Sequence, residues 1–284
     1  MTERFDHTII RYSEIALKGK NRKEFEDQLI RNIKDCYARA GITKVAFSRP
    51  RGRIIIHNRF ISQLQAVFGI HSISPCIELP QDIDAIKQEL SDHLDSFDKK
   101  ISFRISVQRT DKSFPLKSMQ LERELGSFVV EKSGAKVDLK NFDKEIGVEL
   151  VNRKAYVFFE KIHCFGGMPV GSQGKALLSP DSEFCSLAAL LMLKRGVRVY
   201  ISEKTDRKES SQMSSLRELI SRFAYGYDCL LSSEEEPQKK GMIQISGKRD
   251  PPSVKQEEAK MILYPLVGFS KGECKASLER FVRL

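Results

Sequence analysis

The sequence predicts a multidomain protein that combines α+β and α/β folds. Three observations carry this expectation. Strand and helix patterns follow one another as β-α-β-β-α-β over the first 80 residues. A glycine-rich connection, Cys164-Phe-Gly-Gly-Met-Pro-Val-Gly-Ser-Gln-Gly174, then divides the chain. A strand, tight loop, helix and second strand follow it from Lys175 to Ile201. At 284 residues the chain can hold two or three modest cores.

The elements are justified in order. Thr8-Ile-Ile-Arg-Tyr12 is rich in β-branched residues and predicts a strand. Ser13–Arg22 reads as a polar, basic loop. Asn21 is placed to cap a helix from about Arg22 to Ala40, with Phe25, Leu29, Ile33 and Tyr37 at helical spacing and Gly41 as its stop. Val45–Ser48 and Arg53–His57 predict strands around the basic turn Arg49-Pro-Arg-Gly52. Ile61–Val67 predicts a helix and Ser72–Leu79 a strand. That order is ferredoxin-like.

Asp82–Phe97 predicts an amphipathic helix, with Ile83, Ile86, Leu90, Leu94 and Phe97 on one face. Ser102–Arg109 alternates as a strand. Thr110–Lys117 is a loop; in it Phe114, followed by Pro115, is expected to anchor the loop to its own domain. Ser118 is the expected N-cap of the next helix. Val137–Leu139, Glu145–Leu150 and Ala155–Glu160 predict strands. Beyond Ile201 the pattern weakens: Ser214–Tyr225 and Lys271–Val282 predict helices, Gly241–Ser246 and Ile262–Leu266 short strands, and Ser232–Lys240 a polar loop. The third region is thus expected to hold four short strands.

Composition narrows the function classes. Residues 1–60 carry 14 Lys/Arg against 7 Asp/Glu, residues 61–100 carry 3 against 7, and residues 101–175 carry 13 against 9. A basic first block within a net charge of +10 points to a polyanion partner, most simply nucleic acid. The RNA-binding candidates are Lys18, Lys20, Arg22, Arg51, Arg53, Arg109, Lys112 and Lys117. No apolar run approaches a membrane span and no signal peptide opens the chain, so a cytoplasmic protein without a membrane partner is expected. Six scattered cysteines without a C-x-x-C pair argue against zinc ribbons and disulfide frameworks, and no metal site is expected.

The unit at Lys175–Ile201 is where an α/β protein places a phosphate-binding loop. Such a loop needs glycines, so that backbone N–H groups can approach the anion. Between Ser179 and Ser186 there are none. Pro180 lacks an N–H, and Asp181 and Glu183 repel phosphate. Ser182, Cys185 and Ser186 complete the candidate loop. Cys185 and Cys229 are the candidate reactive thiols, although the plain reading of each is a small buried residue.

Four segments carry a family resemblance. Arg11-Tyr-Ser-Glu-Ile-Ala-Leu-Lys-Gly-Lys-Asn-Arg22 resembles the N-terminal signature of the tRNA 4-thiouridine synthases, sulfurtransferases also linked to thiamine biosynthesis. Val107–Met119 with Arg123-Glu-Leu-Gly126 resembles that family's THUMP domain. Gly166–Lys175 resembles the link into its catalytic domain, and Tyr264-Pro-Leu that domain's last strand. The resemblance implies a ferredoxin-like domain (1–80), a THUMP domain (81–165), a linker (166–175) and a small Rossmann-like adenine-nucleotide α-hydrolase, or PP-loop, domain (176–284). It also implies a tRNA partner, held by its acceptor stem and 3′ end.

In that family ATP adenylates the uracil O4, and a persulfide sulfur then displaces AMP. The family loop reads Ser-Gly-Gly-x-Asp-Ser. Aligned without gaps it falls on Asp181-Ser-Glu-Phe-Cys-Ser186, where only the last residue matches; a gapped frame sets Asp181-Ser182 on the closing Asp-Ser, and both glycines are still absent. The expectation is therefore a tRNA-binding member without a working ATP site and with no cofactor. The alternative is an active sulfurtransferase using ATP, Mg2+ and a persulfide donor. A third possibility is that the altered domain docks a separate modification enzyme or sulfur donor.

Overall fold

The computed structural model describes residues 5–110, 113–202, 210–231, 242–250 and 262–283. Two compact units emerge, and both are discontinuous in sequence. The first comprises Met1–Arg11, Lys44–Ile61 and Ser72–His163; the second comprises Tyr12–Thr43, Ser62–His71 and Cys164–Leu284.

The opening segment forms β1 (His7–Arg11), a 3₁₀ stretch (Glu14–Asn21), α1 (Arg22–Arg39), β2 (Ala46–Ser48), β3 (Arg53–His57), a 3₁₀ turn (Ser62–Ala66) and β4 (Ser72–Pro80). The β-α-β-β-α-β order is therefore present, with the second helix reduced to one 3₁₀ turn. Ser13–Arg22 is not the loop expected from its polarity: 3₁₀ turns form on either side of Gly19, whose φ is +53°. Asn21 precedes α1 as expected but makes no side-chain cap bond.

The strands belong to the first unit. There β1 pairs antiparallel with both β3 and β4. Ile54, Ile55 and Ile56 are buried in succession, so β3 is covered on both faces.

The middle segment adds α2 (Ile83–Ser91), β5 (Ser102–Arg109), α3 (Ser118–Ser133), β6 (Lys136–Val137), β7 (Lys144–Val151), β8 (Lys154–Phe158) and β9 (Ile162–His163). Asp82 caps α2 by accepting from Ala85 N at 2.9 Å. The helix ends at Ser91 rather than Phe97, yet Leu94, in a following 3₁₀ turn, and Phe97 still reach the core. Ser118 is the first helical residue of α3, and Lys117 occupies the cap position.

All of these strands join β1–β4 in one nine-stranded sheet, ordered β2-β3-β1-β4-β8-β7-β5-β6 with β9 also on β4. Ile86 and Leu90 of α2, Leu121, Leu125 and Val129 of α3, and Phe103, Ile146 and Val148 of the sheet form the core beneath the helices. Phe114 is 6% exposed within that core, as its position beside Pro115 predicted.

The second unit contains α1 and a parallel sheet. Its elements are β10 (Lys175–Ser179), α4 (Cys185–Lys194), β11 (Arg198–Ser202), α5 (Ser210–Ser221), β12 (Leu230–Leu231), β13 (Ile243–Ser246), β14 (Ile262–Leu263) and α6 (Lys271–Val282). The strand order is β12-β11-β10-β13-β14, so among the described residues this sheet has five strands rather than four. The missed strand, β12, is two residues long and too short to show a period. Leu187, Ala188, Ala189, Leu190 and Leu193 of α4 are fully buried. Gly196 ends the helix region with φ +88°. Phe68, Phe165, Phe223 and Phe281 form an aromatic cluster, with Phe68 and Phe223 stacked at 5.4 Å.

The polar loop expected at Ser232–Lys240 lies outside the described residues, as does Lys112. No helix among the described residues is long and apolar enough to cross a membrane.

Candidate nucleotide crevice and nucleic-acid interface

In an open parallel sheet, ligands bind outside the carboxyl ends of the strands, where the strand order reverses. Here that point lies between β10 and β13, which pair up to Ser179 and Ser246. The residues that follow these two strands meet. Asp181 Oδ2 accepts from Ser246 Oγ at 2.7 Å, and its Oδ1 accepts from Gly247 N at 3.0 Å. The carboxylate therefore bridges the two strand ends at this crevice.

Gly247 comes close enough to the start of α4 that a Cβ on it would lie 2.6 Å from Cys185 N and 2.5 Å from Ser182 Oγ. Glycine is required here, and its backbone covers the helix N-terminus. The loop's own donors turn inward. Asp181 N donates to Ser179 O, Phe184 N to Ser182 Oγ, and Cys185 N to Ser182 O. None of the Ser179–Ser182 side chains caps α4; Phe184 holds the cap position without a side-chain bond. Glu183 pairs with Lys271 of α6 at 2.9 Å.

Beside the loop lies a cavity of about 810 Å³, lined by Pro180–Glu183, Cys185, Ser186, and Met213, Ser215, Leu216 and Leu219 of α5. Among the described residues the lining carries two carboxylates, Asp181 and Glu183, and no cation. Ser246 and Gly247 escaped sequence reasoning. The signal available was a Ser-Gly pair closing a short strand.

Cys229 is buried, 3.4 Å from Ser221 Oγ, and burial pushes its thiol up. Cys185 is half-buried in the first turn of α4. No disulfide joins any of the six cysteines.

The basic candidates divide by environment. Lys18 and Lys20 are exposed on the 3₁₀ stretch, Lys18 with its Nζ 5.2 Å from the centre of the Phe25 ring. Arg22 pairs with Glu26 at 3.5 Å. These three belong to the second unit, and Arg51, Arg53, Arg109 and Lys117 to the first. Arg51 and Lys117 are exposed. Arg53 and Arg109 are tied into the fold. Arg109 Nη2 donates to Phe114 O at 2.9 Å, holding the loop that carries Phe114. Arg53 Nε donates to Glu149 Oε2 at 2.8 Å, and its Nη2 donates to Gln108.

Glu149 is 2% exposed. It also accepts from Arg11 Nε at 2.8 Å, and Arg11 Nη1 donates to Ser74 Oγ at 2.9 Å. A buried carboxylate between two guanidiniums is a structural clamp across β1, β3 and β7, and sequence spacing gave no sign of it.

Residues 7–74 match the ThiI ferredoxin-like domain and residues 80–160 the THUMP domain, together just over half of the chain. A probable tRNA sulfurtransferase of Thermococcus kodakarensis is 35% identical over 242 residues, 78% of this chain and 61% of that protein. One from Lysinibacillus sphaericus is 36% identical over 199 residues, 67% of this chain and 49% of that protein.

The chain belongs to the tRNA sulfurtransferase family.

It spans about half to three-fifths of the length of these curated members of the family. The crystal structure of PH1313 from Pyrococcus horikoshii aligns over 98% of this chain and 99% of that one, with a TM-score of 0.83 and 29% identity. A 4-thiouridine synthetase crystallised with RNA and bound ATP aligns over 97% of this chain and 84% of that one, with a TM-score of 0.77 and 22% identity; this likeness is one of fold. Ferredoxin-like and THUMP domains are thus present, and the parallel sheet that follows them is compatible with a Rossmann-like PP-loop domain.

Proposed function

We propose that this chain binds tRNA through its ferredoxin-like and THUMP domains, and that its PP-loop domain does not bind ATP productively. Family membership and the exposed cations Lys18, Lys20, Arg51 and Lys117 support the first part. The second rests on one observation: Asp181 bridges the ends of β10 and β13 through Ser246 and Gly247. A triphosphate entering there meets a carboxylate instead of free N–H donors. One negative charge about 5 Å from phosphate costs about 1 kcal/mol even at the dielectric of water, and more in a crevice. Gly247 adds a steric obstacle over the start of α4.

Without that phosphate cradle the described residues of the loop offer a departing pyrophosphate little stabilisation. No step through ATP is therefore assigned to these residues. The acceptor stem and 3′ end of tRNA are the expected ligands, with most contacts to phosphates. A separate modification enzyme or sulfur donor then has a bound tRNA to act on.

The test uses purified chain. Millimolar ATP with Mg2+ should give no thermal shift, and ATP with a persulfide donor no 4-thiouridine. Affinity for tRNA should fall steeply with salt. Micromolar ATP binding, or thiolated tRNA from pure protein, overturns the reading. The combined substitution Asp181→Ser, Ser182→Gly, Glu183→Gly and Cys185→Asp restores the family loop. Recovered ATP binding would locate the defect in the loop alone.

A further inference from the structure

On the first unit's sheet two histidines and a glutamate converge. His7 starts β1, His57 ends β3 and Glu78 lies near the end of β4. Thr8 is opposite Ile56, so the next step of the antiparallel register sets His7 opposite His57. His7 is also opposite Cys76, two residues before Glu78. Cross-strand partners share a face, as do residues two apart, so all three side chains rise from one side of the sheet. One potential ligand atom from each lies within 4.8 Å of the others. His7 Nε2 is 3.5 Å from Glu78 Oε2, and the two imidazole rings meet edge to face at 5.0 Å.

The geometry points to a zinc site formed by His7, His57 and Glu78. Two imidazoles and a carboxylate, with a fourth position open to water, are a donor set that suits Zn2+. Bonds of about 2.1 Å in a tetrahedron place neighbouring ligand atoms about 3.4 Å apart. The His7–Glu78 pair already has that spacing, and rotation of the imidazoles closes the remaining gaps.

Surrounding groups orient each ligand. His7 Nδ1 donates to Asp6 at 2.7 Å, leaving Nε2 to coordinate; a carboxylate behind a ligating histidine raises its basicity. His57 Nε2 lies 2.5 Å from Ser48 Oγ, leaving Nδ1. Glu78 accepts from the Tyr156 hydroxyl at 2.8 Å, and Lys154 Nζ is 3.1 Å from its other oxygen. Lys154 is half-exposed and can swing into solvent when the metal takes over its counter-charge. The site would tie together three strands that are distant in sequence, stabilising the sheet by mass action.

The experiment titrates Zn2+ into metal-stripped full chain carrying no polyhistidine tag, by calorimetry and thermal shift, with Co2+ as a spectroscopic probe. One equivalent should bind, raise the melting temperature, and give a tetrahedral Co2+ spectrum without thiolate charge transfer. His57→Gln and Glu78→Gln should each weaken binding at least tenfold, and Asp6→Asn about tenfold. His163→Gln, on β9, should leave affinity unchanged. Unaltered affinity in folded His57→Gln and Asp6→Asn, or a thiolate band with Co2+, overturns the assignment. Circular dichroism checks each variant's fold; should His57→Gln fail it, Asp6→Asn and Glu78→Gln decide the matter.

Discussion

Arg51 and Arg53 are two residues apart, and charge alone cannot distinguish their roles. The structure assigns Arg53 to the Glu149 clamp and leaves Arg51 exposed. Replacing Arg53 by Gln removes one of two guanidiniums from a carboxylate that is 2% exposed, breaking an ion pair at 2.8 Å. A hydrogen bond to a charged group is worth about 1.5–3 kcal/mol, and stripping a partner from a buried ion costs up to about 3–5 kcal/mol. Arg11 stays in place to hold Glu149, so the lower part of that range applies, about 2–3 kcal/mol. Arg51→Gln, at an exposed turn, should stay within about 0.5 kcal/mol.

Urea unfolding of both variants measures stability, and tRNA titrations at several salt concentrations measure phosphate contacts. Losing one contact lowers the slope of log K against log salt by about 0.7–0.9. Arg51→Gln should change the slope and keep the stability; Arg53→Gln should do the reverse. A stable Arg53→Gln with a reduced slope would refute the reasoning and return Arg53 to the RNA surface.

Phe114→Ala should cost about 3–5 kcal/mol, read by thermal unfolding, because the ring is buried in the core; full stability with weakened tRNA binding would make it a base-stacking residue. Burial pushes the Cys36 and Cys164 thiols up to about 12 and raises that of Cys229, so native protein at pH 8 should alkylate slowly at all three by mass spectrometry. Rapid labelling of Cys229 would restore it as a sulfur-carrier candidate. Burial works to raise the Glu145 carboxyl, but hydrogen bonds from Ser106 and Arg104 outweigh it and hold the group below its ordinary range. Its ionised form therefore adds stability that is complete above about pH 4.3 and is lost as pH falls through the lower folded value. Glu145→Gln should flatten the acid dependence of unfolding below about pH 4; unchanged slopes would show that this carboxylate contributes nothing to it.

Local pattern was enough for most of the elements. The β-branched runs at Thr8–Ile10 and Arg53–His57, and the apolar stripe of α1, reach the same conclusion whatever surrounds them. The failures have physical causes. Ser13–Arg22 is polar because it faces solvent, yet 3₁₀ turns tolerate polar residues. The Asp82–Phe97 stripe keeps its period past the point where the helix stops, since a 3₁₀ turn delivers Leu94 to the same core.

By itself the sequence determined the order of elements, the absence of glycine between Ser179 and Ser186, the basic first block and the burial of Phe114. Each is a property of neighbours along the chain. Only the tertiary structure decided which charges are available. Arg53 and Arg11 meet Glu149 across separations of about a hundred residues or more, and Asp181 meets Ser246 and Gly247 across more than sixty. His7, His57 and Glu78 likewise meet only through strand register. Such encounters are set by which strands pair and in what register, because pairing brings together residues whose spacing along the chain carries no period.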